Sequence, residues 1–185
     1  MPESTPPGRV VDVDLLGIYL NDHLASATGG VELVSRMIAS HGGGQGHEAR
    51  LGRLRGLLEE LRMERAAHVA MAEALGLPVR AYKQAGTWLA EKISRLKLNG
   101  RLLSRSPLSD LVEFEFMATA VVAKRAGFET LLALAATDDR LDAGLLRRLV
   151  DQADAQHRWL ADTRREIAAE VFGGSPAAAG DAADT

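Results

Sequence analysis

Asp154-Ala155-Gln156-His157, in the middle of the apolar-periodic run 143–172, is the stretch on which the fold reading turns. At about 100° per residue, a helix through this run gathers Leu149, Ala153, Leu160, Ala161 and Ala168 on one side, with His157 among them. Asp154 falls one turn back, on the edge of that stripe. An imidazole and a carboxylate three residues apart on a core-facing stripe are two good metal ligands. They are equally an ordinary hydrogen-bonded pair inside a helical bundle, so the reading depends on what the other helices bring opposite them.

Three more long amphipathic runs precede this one. Ser106-Pro107 opens a third helix over 107–136, with Leu111, Phe114, Ala118, Val121, Val122 and Leu132 inward; Glu115 lies on the margin of that face and Glu113 points outward. Thr137-Asp138-Asp139-Arg140 turns the chain into the last helix. A second helix over 47–75 stops at Gly76-Leu77-Pro78, a left-handed stop followed by a helix breaker. Its stripe is Leu54, Leu57, Leu58, Leu61, Met71 and Leu75, and Glu64 and His68 stand near the centre, where leucines are expected. The first helix, 13–40, starts at Asp12 or Asp14 as cap and gathers Leu16, Tyr19, Leu20, Ala27, Gly30, Val34, Met37 and Ile38 around a single inward imidazole, His23. Seventeen residues separate His23 from Ser40 and seventeen separate His47 from Glu64, which puts the two side chains at one level of an antiparallel hairpin.

Between the second and third helices, 80–97 reads as a shorter amphipathic helix closed by Asn99-Gly100, and this stretch is long enough to cross a bundle. Seven Lys or Arg stand against one acid, Glu91, from 80 to 105, so the rest of a chain of net charge -3 is distinctly acidic. Such a segment suits an acidic surface or is simply solvated; its aromatics, Tyr82 and Trp88, fall on the apolar side of the short helix and do not suggest base stacking, and no nucleic-acid partner is expected. His41-Gly42-Gly43-Gly44 resembles an oxyanion-hole or phosphate-cradling string, but no G-x-S-x-G, no G-K-[ST] and no flanking strand accompanies it. It reads as a helix connection. The 185 residues therefore divide into a flexible N-terminus 1–11, one helical bundle 12–172 and a disordered Ala/Gly/Asp tail 173–185. The absence of Cys removes disulfides, thiolate metal sites and cysteine nucleophiles. With no secretory pattern and no run of about 18 uncharged apolar residues, a cytoplasmic protein without a transmembrane segment is expected.

Taken together, these residues resemble the ferritin-like superfamily, and bacterioferritins in particular, over about 13–172. Asp22-His23-Leu24 looks like the asparagine-glutamate-leucine of the first helix. Gly76-Leu77-Pro78 is similar to the close of the second, Ser109-Asp110-Leu111 to the entry of the third, and Asp154-x-x-His157-x-Trp159-Leu160 to the ligand pair of the fourth with its Trp-Leu sequel. The resemblance implies an all-α, up-down-down-up four-helix bundle with the short extra helix in its crossover, a di-iron or di-manganese carboxylate centre, and pairing into a homodimer through the first two helices. This chain departs from the family by carrying His23 and Asp154 where the family has Glu. Counting back from Gly-Leu-Pro would instead place Glu60 and Met63 on the family's Glu-x-x-His, whereas periodicity favours Glu64 and His68.

Two functions follow. In the first, His23, Glu64, His68, Glu115, Asp154 and His157 converge at mid-bundle and hold iron or manganese, with zinc less well suited, and open coordination positions would allow oxidoreductase chemistry. In the second, the polar core is only structural and the protein is a metal-free interaction or scaffold bundle. Either way, buried charges at four stripes need partners, because an uncompensated one costs several kcal/mol (roughly 3–5).

Overall fold

The computed structural model describes residues 12–40, 48–79 and 107–173. These form four helices and, among the described residues, no strand: α1 (Val13–Ser40), α2 (Glu48–Ala74), α3 (Pro107–Leu134) and α4 (Ala143–Phe172). Each lies within two residues of its expected span. The expected helix over 80–97, the basic segment, the glycine connection, the N-terminal 1–11 and the tail beyond Gly173 lie outside the described residues.

The helix ends follow local chemistry. Asp12 caps α1, its Oδ1 accepting from the Asp14 and Leu15 amides at 3.1 Å. Asp142 caps α4 in the same way through the Leu145 amide at 2.9 Å. Gly76 ends α2 at φ 73°, where a side chain would be strained, and the Leu77 amide returns to the Ala72 carbonyl at 2.9 Å.

Pairwise contacts fix the directions. The start of α1 meets the end of α2 where the Asn21 amide donates to the Pro78 carbonyl, and Arg65 donates to Thr28 further along, so the two run antiparallel. Arg50 near the start of α2 pairs with Glu170 near the end of α4, while Arg140 just before α4 reaches the Leu75 carbonyl just after α2. Arg125 pairs with Asp154, and Arg164 with Glu115, along antiparallel α3 and α4. These contacts leave α2 and α3 pointing the same way.

The core has two apolar clusters. One gathers Leu33, Met37, Leu54, Leu57, Phe114, Val121 and Leu160; the other gathers Leu20, Met71, Phe128, Leu131, Leu146 and Leu149. Fully buried side chains of this kind each stabilise by about 1.5–3 kcal/mol. Along α2 and α3 the boundary between the clusters carries Glu64, His68 and Lys124, which makes the middle of the bundle polar.

Candidate functional site

Glu64 and His68 occupy the positions that the α2 stripe assigned to them, each only 2% exposed. What neutralises Glu64 comes from α3. The Lys124 Nζ donates to Glu64 Oε2 and to Gln156 Oε1, while Gln156 Nε2 donates to Glu64 Oε1 at 2.9 Å and to Glu60 Oε2 at 2.8 Å. Arg53 closes the network on Glu60 at 3.1 and 3.3 Å, and its guanidinium stacks 5.2 Å from the Trp159 ring centre. The amide of Gln156 can be oriented only one way here, oxygen to the ammonium and nitrogen to the two carboxylates. Two cations face two carboxylates, so the network is neutral. Burial pushes the Glu64 carboxyl up and the Lys124 ammonium down, and their mutual attraction opposes both.

One turn along α2 the chemistry changes. His68 Nδ1 lies 3.3 Å from the Glu64 carbonyl, and its buried Nε2 has no hydrogen-bond partner among the described residues. Burial brings its pKa down to about 4, so the ring is neutral near pH 7. His23, half-buried on α1, is also lowered by burial, with Asp22 opposing. The rings form a run: Tyr19 stands edge-on to His23 at 4.5 Å, His23 lies 6.3 Å from a nearly parallel His68, and His68 lies 4.9 Å from Phe128. Space for His23 comes from Gly127 of α3, where a Cβ would sit 2.7 Å from the imidazole.

The remaining predicted ligands go elsewhere. Glu115 is exposed and pairs with Arg164 at 3.2 Å; Asp154 pairs with Arg125 at 2.9 Å, both partly exposed; His157 is half-buried on the flank of α4. Glu113, expected to point outward, is the buried one of its pair. The physical reason on α4 is helix phase. Its buried stripe runs Leu149, Ala153, Gln156, Leu160, Thr163, Ile167. Gln156 is seven residues from both Leu149 and Thr163, within about 20° of each, whereas His157 stands about 80° from Leu149. On α3 the stripe follows Phe114, Met117, Val121 and Phe128, and Glu115 is about 160° from Met117. Among the described residues, no three His, Asp or Glu side chains are placed to hold one metal ion. The donor set does not fit a dinuclear carboxylate centre: an ammonium is bonded to Glu64, and guanidinium groups hold Asp154 and Glu115.

Lys124 and Gln156 are the members of the centre that sequence reading missed. Their signal was present: Lys124 continues Met117-x-x-x-Val121-x-x-Lys124-x-x-x-Phe128, and Gln156 sits between Ala153 and Leu160 on the core side. Beside the network, between α1 and α3, lies a cavity of about 470 Å³. Ala27, Gly30, Leu33, Phe116, Met117 and Val121 supply apolar walls, Lys124 and His23 are the titratable residues beside them, and exposed Asp22 and Ser26 also line it. Comparison with protein-family models, curated proteins and solved structures gives no match to this chain. No helix among the described residues is long and apolar enough to cross a membrane.

Proposed function

We propose that this chain is a metal-independent binding protein built on the ferritin-like up-down-down-up plan, in which the Lys124 ammonium occupies the mid-bundle position that a metal ion takes in that superfamily. Its support is the bonding of Lys124 between Glu64 and Gln156. That contact supplies the neutralising charge which the buried Glu64 carboxylate would otherwise draw from a cation in solution. The helix directions suit the same plan. Pairing of two copies through α1 and α2 belongs to this reading too, supported by Val13, Leu15 and Ile18 of α1 and Met63 of α2, all more than half exposed.

The metal-binding reading keeps one observation on its side, the buried His68 Nε2 without a partner near the His23 ring. Metal analysis after incubation with Fe(II), Mn(II) and Zn(II) separates the two. The expected result is substoichiometric metal and no change in Tm. A stoichiometric metal with a Tm that climbs with metal concentration, as linkage requires for a ligand of the folded state, would restore the metal reading.

A further inference from the structure

We propose that the cavity between α1 and α3 is a binding site for an uncharged, mainly apolar small molecule carrying one hydrogen-bond acceptor, of the aryl or alkyl ketone type, with Lys124 as its donor. The inference rests on the metal-independent reading, since it takes Lys124 rather than a metal as the polar end of the site. Three observations carry it. The volume, about 470 Å³, falls in the roughly 300–1,000 Å³ range of small-molecule sites, and the lining has their composition, apolar walls with few polar groups. Lys124 lines the cavity with its side chain only 11% exposed; two of its three N–H bonds go to Glu64 and Gln156, and the third has no partner among the described residues. An acceptor on a ligand in the cavity would complete the ammonium.

Charge decides what kind of acceptor. Arg53 and Lys124 already balance Glu60 and Glu64, so a carboxylate or phosphate entering the cavity would add a buried negative charge with no cation left to meet it. Asp22 in the lining adds a further repulsion. A second ammonium is refused by Lys124 itself. A carbonyl oxygen satisfies the free N–H without changing the balance, and neutral His23 adds a weakly polar wall next to it. The walls admit a flat or branched apolar body: a Cβ built on Gly30 meets only Met117 Cε at 3.7 Å, so the cavity is open there rather than filled by backbone.

The test uses the full chain and three probes of one shape: a naphthyl methyl ketone, naphthoate and ethylnaphthalene, titrated by calorimetry before and after chelator treatment. The ketone is expected to bind once per chain, about tenfold tighter than ethylnaphthalene, the effect of one net hydrogen bond, and more tightly than naphthoate. In the double variant Lys124→Met/Glu64→Met, which removes the ion pair as a whole, ketone and hydrocarbon should bind alike. Gly30→Leu and Ala120→Phe, which fill the cavity, should abolish binding. Should either filled variant fail to fold, methyl-labelled methionine reports on the unaltered chain: the Met117 resonance shifts on ketone addition and that of exposed Met63 does not. Absence of ketone binding, naphthoate binding as tight as the ketone, retention in both filled variants or an unmoved Met117 signal would each overturn the site. Ketone binding lost on chelation would instead overturn the metal-independent reading.

Discussion

Glu64 and His68 are one helical turn apart on α2 and equally buried, yet their surroundings are opposite. Around the carboxylate, α3 and α4 supply an ammonium and an amide, each Glu64 oxygen accepts a hydrogen bond, and the group is held by charge. Around the imidazole, α1 and α3 supply rings and a glycine; one ring nitrogen has a long contact to a carbonyl, the other none, and the group is held by packing. A buried ionised carboxylate requires a counter-charge, because desolvation otherwise costs several kcal/mol. A histidine escapes that requirement by remaining neutral. The same helix face thus carries a network that cannot lose a member and an aromatic cluster that can.

The sharpest way to break the charged side is to remove its cation. Lys124→Met leaves Glu64 without a counter-charge and should destabilise the fold by about 3–5 kcal/mol, read from denaturant unfolding. Adding Glu64→Met should recover most of that loss, since a buried ion pair exchanged for apolar groups of similar volume is often neutral. Recovery that fails would mean that Gln156 and Glu60 depend on the pair for their own partners.

The imidazole side is tested by pH. His68 takes up a proton in the unfolded chain near its ordinary 6.5, but in the folded chain only near 4. Between these values the unfolded state binds more protons, so the contribution is whole above about pH 6.5 and is lost as pH falls toward 4, amounting to on the order of 3 kcal/mol. His68→Leu should flatten the stability curve in that window relative to the parent chain. An unchanged slope would show that the ring charges without penalty, and so that water reaches it.

Packing on the same side is measured at Gly127. Gly127→Ala pushes a methyl into the His23 ring, and a cost of about 1–3 kcal/mol is expected from overpacking, less the helix-propensity gain of alanine. His23→Ala in the same chain should remove the clash, and a thermal melt of the four chains of the cycle reads the coupling.

The four helices were legible because their start and stop signals are local: Asp12 and Gly76 act on the turn they occupy, and the 137–140 turn precedes the last helix. Glu64, His68 and His23 were legible because polar residues interrupt apolar stripes. Lys124 and Gln156 were passed over for a different reason. An ammonium and a carboxamide do not stand out as metal donors, and a phase error of one or two residues exchanges Gln156 for His157 and Glu113 for Glu115. Periodicity places a residue within about 100° per step, whereas the inside of a bundle is narrower than that. What a buried carboxylate is paired with is a tertiary fact, carried between helices sixty residues apart.

Glu115 gives the smallest effect and the cleanest contrast with Glu64. As a metal ligand it would sit at the centre of the bundle, and its removal would cost both metal and stability. It is instead about half exposed and joined to Arg164 across the outer edge of α3 and α4 at 3.2 Å, where solvent screens the pair and two long side chains lose freedom to make it. Glu115→Ala should therefore change the unfolding free energy by less than about 1 kcal/mol, less still at high salt. It should leave the pH dependence attributed to His68 untouched, since it touches neither ring. A loss comparable to that of Lys124→Met would mean that Glu115 turns inward in solution and shares the buried network, and the contrast between the charged interior and the solvated flank of this bundle would have to be redrawn.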